Sequence, residues 1–239
     1  YEDVESFAHS FDDVYALKPE QLQLGFLKVL KGSFMQEHQK EYGIVHKAHP
    51  PYEVLYTKWI SYEDVLRLKG VEEMVEVYEN SGQFTVTMKE LVKEFNTPFD
   101  LFSDLAEYYE THTLTGASHS RMARYEILDG FVAEHIPGKA AVYRRLMVYD
   151  LYLRENLKSR PDFAEDQTPF KEQVREFFTE EAVKHRYLSD GYEGFEARQL
   201  IKMAHLEVFA GKTAVLFDYR KRDPLSYNAA AYVIEDFFN

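Results

Sequence analysis

Residues 50–82, PPYEVLYTKWISYEDVLRLKGVEEMVEVYENSG, constrain the fold of this chain more than any other stretch. Pro50-Pro51 excludes helix and drives His49 to extended geometry. Val54, Tyr56 and Trp59-Ile60 favour a short strand. Ser61 then reads as an N-cap, with Asp64 three residues on as its capping-box partner. Leu68, Val71, Val75 and Tyr78 recur at helical steps and share one face, whereas Lys69, Glu72, Glu73 and Glu76 occupy another. Asn80-Ser81-Gly82 closes the helix, with Gly82 suited to a left-handed cap. The three glutamates read as a solvated face rather than a metal site, because no His stands at the Glu-x-x-His spacing of di-iron bundles.

The segments before and after this joint differ in kind. Residues 2–17 predict a helix with Val4, Phe7, Phe11, Val14 and Tyr15 on one side, ending before Pro19. Residues 21–30, QLQLGFLKVL, predict a strand closed by Lys31-Gly32-Ser33. A helix leading into one apolar strand is half of an α/β unit, and one strand makes no sheet. Residues 34–42 read as a short helix and residues 44–46 as an extended piece. Beyond the joint the chain turns helical. Thr97, Pro98 and Asp100 start a helix with Phe99, Phe102, Leu105, Ala106 and Tyr109 as its stripe. Ser118 or Ser120 starts the next, burying Met122, Tyr125, Leu128, Phe131 and Val132 up to the break at Pro137-Gly138. Val142, Leu146, Tyr149 and Leu153 mark a long helix to about Leu157. Thr168-Pro169 opens another through Phe170, Val174, Phe177 and Phe178 to about His185. Residues 200–209 fit helix or strand equally. Ala210-Gly211-Lys212 is a turn signal, residues 213–219 form a strand, and residues 231–234 form a further one. The expected fold is mainly α, a multi-helix bundle with a few short strands and a small C-terminal antiparallel sheet.

Composition removes several function classes. With 41 acidic against 28 basic residues the net charge is −13, which opposes binding to nucleic acid or anionic membrane. No Cys is present, so disulfides, Cys-ligated zinc and Cys-held iron–sulfur clusters are excluded from these residues. No apolar run reaches the ~18 residues of a membrane span, and no signal peptide is visible, so a cytoplasmic location is expected. The chain opens on Tyr1 rather than Met, and we read it as an excerpt of a longer protein.

Nucleotide-loop, zinc-protease and serine-hydrolase motifs are all missing. His46 and His49 are followed at once by Pro50 and so share no helical face. In Ser118-His119-Ser120 the hydroxyls read as caps rather than nucleophiles, because catalytic pairs are assembled in space. His185 and His205 read as core or edge histidines. Two basic points remain, Arg121 with Arg124 beside His119, and the run from Asp218 to Pro224. Cations and hydroxyls at a helix start can hold an anion, but salt bridging to the abundant carboxylates is the plainer reading.

Three long phrases carry a family resemblance: SFDDVYALKPEQLQLGFLKVLKGS, PPYEVLYTKWISYEDVLRLKGVEEMVEVYENSGQF and SHSRMARYEIL. Across nearly the whole chain the sequence resembles the C-terminal part of cobalamin-binding radical SAM proteins. These bacterial proteins are often named after the anaerobic magnesium-protoporphyrin monomethyl ester cyclase. The resemblance implies that residues 1–47 are the terminal helix–strand segment of a radical SAM barrel and residues 48–239 a helical C-terminal accessory domain. The family's three-cysteine cluster motif and its Asp-x-His-x-x-Gly corrinoid motif are absent from this chain, so no catalytic, cofactor-binding or metal residue carries over. Asp13 and Glu79 depart from the residues usual in the family.

The implied parent is an oxidoreductase-like enzyme with a 4Fe-4S cluster, S-adenosylmethionine and cobalamin. Its partners for this region are the upstream radical SAM and cobalamin-binding domains of the same chain. Lys28, Lys31 and Ser33, at the end of the barrel-like strand, and His119, Arg121 and Arg124 are the expected substrate-facing residues. The region is then an accessory domain, not catalytic alone, that shapes or covers the substrate entrance. The alternative is a helical interaction module that docks a partner or an electron donor. In either case residues 52–60 are expected to pack against residues 21–30, directly or through the helix at 61–80, since an isolated apolar strand needs cover for its backbone and side chains.

Overall fold

The computed structural model describes residues 2–211 and 213–238. It is mainly helical, with a two-stranded and a three-stranded antiparallel sheet among the described residues. The chain divides into two compact units. One comprises the chain up to Gly82 together with Met88–Ser118, and the other Gln83–Thr87 together with the chain from His119 onward. That division concerns packing, whereas the boundary expected near residue 47 concerns ancestry. None of the described helices is long and apolar enough to cross a membrane.

The first unit begins with α1 (Val4–Ala16), capped by a reciprocal Asp3–Ser6 box. Phe11 is buried, stacking edge-on against Phe99 and Phe102. The expected strand over residues 21–30 is corrected to an extended segment with a single bridge, Lys28 to Glu53. Its ladder stops there because only residues 27–29 run alongside a partner: Val29 N donates to Tyr52 O at 2.9 Å and Val54 N to Leu27 O at 2.8 Å. The contact expected between the aromatic lead-in and this segment is therefore present. Further back, Asn80 clamps the segment by accepting from Leu22 N and donating to Leu22 O, each at 2.9 Å.

Helix α2 (Phe34–Glu37) is shorter than expected and is followed by turns. Strands β1 (Val45–His46) and β2 (Val54–Tyr56) pair antiparallel. Helix α3 (Tyr62–Met74) starts at the Ser61–Asp64 box and runs on through a π-helical turn, Val75–Asn80. Leu68, Val71, Val75 and Tyr78 are all buried, and Gly82 at φ +61° ends the run. Helix α4 (Thr85–Leu91) carries no sequence signal that the caps would predict. Helix α5 (Pro98–Thr111) starts at Thr97, whose hydroxyl accepts from Asp100 N at 3.1 Å; Asp12 Oδ1 takes the Phe99 N–H at 2.8 Å. Its expected stripe is buried throughout.

In the second unit, α6 (Arg121–His135) is capped by Ser120 and buries Tyr125, Leu128, Phe131 and Val132, with Met122 half-buried. Helix α7 (Ala140–Arg154) ends three residues before the expected Leu157 and is turned about its axis relative to expectation. Tyr143, Met147, Val148 and Leu151 are buried, whereas Val142 is 47% exposed and Leu146 half-buried. The helix is apolar on two adjacent faces, and Asp150 decides between them. Its carboxylate is buried because it accepts from Val86 N at 3.0 Å and from Thr87 N and Oγ1 at 2.8 and 2.7 Å, capping α4 from a distance. Tyr149 and Leu153 still pack, against Val215 and Phe217.

Helix α8 (Lys171–Lys184) buries Phe177 and Phe178 and ends at His185, in the left-handed region at φ +47°. Residues 200–209 resolve into both alternatives, the end of α9 (Ala197–Met203) and strand β3 (Ala204–Phe209). Strands β4 (Thr213–Arg222) and β5 (Ala229–Ile234) complete a meander in the order β3-β4-β5. Lys212, in the turn expected before β4, lies outside the described residues.

Candidate functional site

The first unit carries a half-open pocket of about 420 Å³ whose lining is mostly apolar, with Glu2 and Thr57 as charged and polar members. Phe7 of α1 lines it, as do Gly25-Phe26-Leu27 of the extended segment, Phe34 and Met35 of α2, and Tyr42 and Ile44 beyond. Val54, Trp59-Ile60, Val65 and Leu68 close the other side. Cavities of roughly 300–1,000 Å³ with apolar and aromatic walls are the usual form of small-molecule sites.

Rings form a ladder along one wall. Phe34 stacks on His38 at 3.8 Å between centroids, His38 lies 5.7 Å from Tyr42, and Tyr42 lies 5.6 Å from Trp59. Two ammonium groups brace these rings. Lys58 Nζ sits 4.4 Å from the Trp59 ring and 5.5 Å from that of Tyr42, donating to Glu41 O at 3.1 Å. Lys69 Nζ sits 4.2 Å from the Phe26 ring and 2.9 Å from Glu53 Oε1, with Lys47 also on Glu53 at 3.3 Å. The Lys69 hydrogen bond holds Glu53 below the ordinary carboxylate value, whereas burial pushes Glu72 up. Thr57 Oγ1 accepts from Trp59 N at 3.2 Å and from Ile60 N at 3.3 Å, so this polar wall atom is satisfied within the loop.

A larger depression of about 640 Å³ is lined by Gly70, Ser103 and Ala106 together with Glu63, Arg67, Glu73, Glu107 and Glu110. Its charged lining keeps it wet, and a cavity walled by rings has more to gain from a ligand.

The six expected substrate-facing residues fall in both units. Lys28 is exposed and bridges to Glu53 through the backbone; Lys31 is exposed; Ser33 caps α2, its hydroxyl accepting from Gln36 N at 3.3 Å. In the second unit His119 and Arg124 are half-buried, and Arg121 pairs with Glu155. Ser120 serves as a cap, as read from sequence. His46 Nδ1 bonds to Lys47 O, and no group of His, Asp and Glu among the described residues is arranged to hold a metal ion.

The second unit holds a buried constellation that sequence reasoning missed. Glu207, 1% exposed, receives two bonds from Arg160 at 2.7 and 2.8 Å, and a third contact from His205 Nε2 at 2.9 Å. The His205 ring stacks on Tyr152 at 3.6 Å. Burial holds His205 below its ordinary value, outweighing the attraction of Glu207. Burial alone would raise Glu207, but the bonds from Arg160 and His205 together hold it low. The one legible signal was the His-x-Glu spacing, which puts both side chains on one face of β3. The space beside Glu207 is only about 10 Å³, room for a single water at most. These groups could move protons, but a substrate has no room there, and the network is structural.

The chain is thus a mainly helical protein with an aromatic-walled cavity in one unit and a closed ionic network in the other. It belongs to a family of proteins of unknown function, DUF4080, whose model matches residues 40–224. The match takes in the cavity wall from Tyr42 to Leu68. No curated protein and no solved structure matches the chain.

Proposed function

We propose that this chain is the C-terminal accessory region of a cobalamin-dependent radical SAM enzyme and shapes or covers that enzyme's substrate entrance. The observation that carries the reading is the cavity itself. One side is built from residues between 2 and 44, within the segment 1–47 that resembles the terminal helix–strand part of a radical SAM barrel; the other is built from residues 54–68 of the accessory region. A barrel enzyme places its chemistry at the ends of its strands, and Lys28, Lys31 and Ser33 lie between the lining residues Leu27 and Phe34. The chain has no cysteine to hold a cluster, so in this reading the upstream domains supply the cluster, S-adenosylmethionine and cobalamin.

The test is the full-length protein. Its sequence should carry a Cys-x-x-x-Cys-x-x-Cys motif before Tyr1. After anaerobic reconstitution it should show iron–sulfur absorbance and cleave S-adenosylmethionine to 5′-deoxyadenosine. A full-length chain without that motif overturns the reading. The second reading, docking of a partner protein or electron donor, draws on Leu225 and Tyr227 beside β4, which are 87% and 69% exposed. Retained activity in a Leu225→Ser, Tyr227→Ser variant would remove its support.

A further inference from the structure

We propose that the aromatic-walled cavity of the first unit is a binding site for a neutral, apolar, ring-bearing small molecule. Size comes first: at about 420 Å³ the space is far beyond the gaps of a packed core, which rarely exceed a water molecule. Chemistry comes second. Most of the lining is rings and aliphatic groups, Glu2 is its one charged member, and Thr57 Oγ1 is already engaged by two backbone N–H groups. The buried polar side-chain atoms left without a partner, on Ser103, Glu181 and Asp218, are not on residues that line it. A peptide segment would bring backbone N–H and C=O groups that this lining could not satisfy. An anion is disfavoured as well: the one carboxylate in the lining is Glu2, and the nearby ammonium of Lys58 is engaged by Glu41 O and by the rings of Tyr42 and Trp59. The ring wall of Phe34, Tyr42 and Trp59 favours a flat partner, since ring pairs gain beyond the area they bury.

Binding by this chain rests on the cavity alone. Only the further step, that the molecule is the substrate of a parent enzyme, rests on the reading above. Trp59 is the only tryptophan and lines the cavity, so it reports occupancy. The experiment titrates the 239-residue chain with N-phenyl-1-naphthylamine, a neutral two-ring dye that accepts energy from tryptophan. Saturable one-to-one binding with quenching of Trp59 is expected, together with competition by naphthalene.

Two variants fill the space. A Cβ on Gly25 meets nothing within 4 Å, and Val65 is a buried lining residue, so Gly25→Leu and Val65→Phe should each weaken binding by about tenfold or more. Circular dichroism identifies which variants are folded. Absence of saturable binding, or unchanged binding in a folded variant, overturns the proposal; if Val65→Phe does not fold, Gly25→Leu decides alone. Failure here leaves the cluster test of the full-length protein standing, and failure of that test leaves this one standing.

Discussion

The two units handle buried polarity in opposite ways. In the second, buried carboxylates bind distant parts of the chain. Asp150 caps α4, Glu207 holds Arg160 and His205, Glu181 accepts from Tyr187 N and Leu188 N, and Asp218 accepts from Tyr192 Oη and Arg220 N. In the first, the charged side chains are exposed or half-buried, two of them over ring faces, and rings line a half-open pocket. A buried charge held by several bonds restricts its geometry; an apolar cavity tolerates many fillings. The second unit is therefore specified by its own contacts, and the first retains room for something else.

The largest test of that contrast is Arg160→Met. It leaves Glu207 buried with His205 as its only strong partner and should cost about 3–5 kcal/mol in urea unfolding. Little loss would mean that water reaches Glu207 and the network is not closed. A pH series sharpens the point. His205 has a folded value below its ordinary 6.5, so the unfolded chain binds the proton more readily. The stability it contributes is fully present above that value and is lost as the pH falls through the lowered one. Glu207, also lowered, continues the loss into the carboxylate range. In the first unit Glu72 and Glu79 are raised by burial, the latter partly offset by the Tyr15 hydroxyl, so acid relieves a cost there. Asp150, also raised by burial, works in that direction within the second unit, but only in the carboxylate range. As the pH falls from about 7 to 5.5, hydrogen-exchange protection factors, corrected for the intrinsic rate, should fall in β3 and β4 and not in α3. An equal fall in both would break the comparison.

Next in size is the face of α7. Met147→Ala should cost about 2–5 kcal/mol by opening a cavity, and Leu146→Ala clearly less, because Met147 is fully buried and Leu146 only partly. Thermal unfolding of the pair measures this. The sequence alone favoured Leu146, and the reason it misled is physical. Side chains at 142, 146, 149 and 153 make as good a stripe as those at 143, 147 and 151, and the choice is made by Asp150 reaching residues 85–87. The same contact explains why α4 was not legible: its cap stands more than sixty residues away. Where the cap is local, at Ser61 and Thr97, the helix start was legible to the residue, and at Ser120 to one of two serines. The cavity left a partial trace. The packing of residues 52–60 on residues 21–30 could be argued from the need to cover an apolar segment, but the pocket could not, because Phe7 and Phe34 join it from separate helices.

A spectroscopic test follows for the first unit. Folded Trp59, half-buried between Tyr42 and Lys58, should emit to the blue of free tryptophan. Phe26→Asp puts a carboxylate in the cavity wall, and should shift that emission to the red and expose residues 1–47 to proteolysis. Emission unmoved by the substitution would mean that Trp59 does not sense the pocket wall, and the contrast between a ring-lined first unit and a bonded second would fail.

The smallest expected effect separates the units at single glycines. Gly25 lies outside the left-handed region of backbone space, and an added Cβ meets no atom within 4 Å. Gly25→Ala should therefore be neutral or stabilising, by about 0.4–1 kcal/mol, through a less flexible unfolded chain. Gly191 sits at φ +83°, where an added Cβ lies 3.5 Å from Arg220 Nη2, and its carbonyl accepts from Arg220 Nη1 at 2.6 Å. Gly191→Ala forces an L side chain into that conformation and disturbs the guanidinium that lies over Tyr192, so it should destabilise by more than Gly25→Ala can gain. Midpoints from matched thermal melts decide the matter. A loss at Gly25 as large as that at Gly191 would mean that the first unit has no slack around its cavity wall, and that the space beside Gly25 is held open by packing as exacting as that of the ionic network.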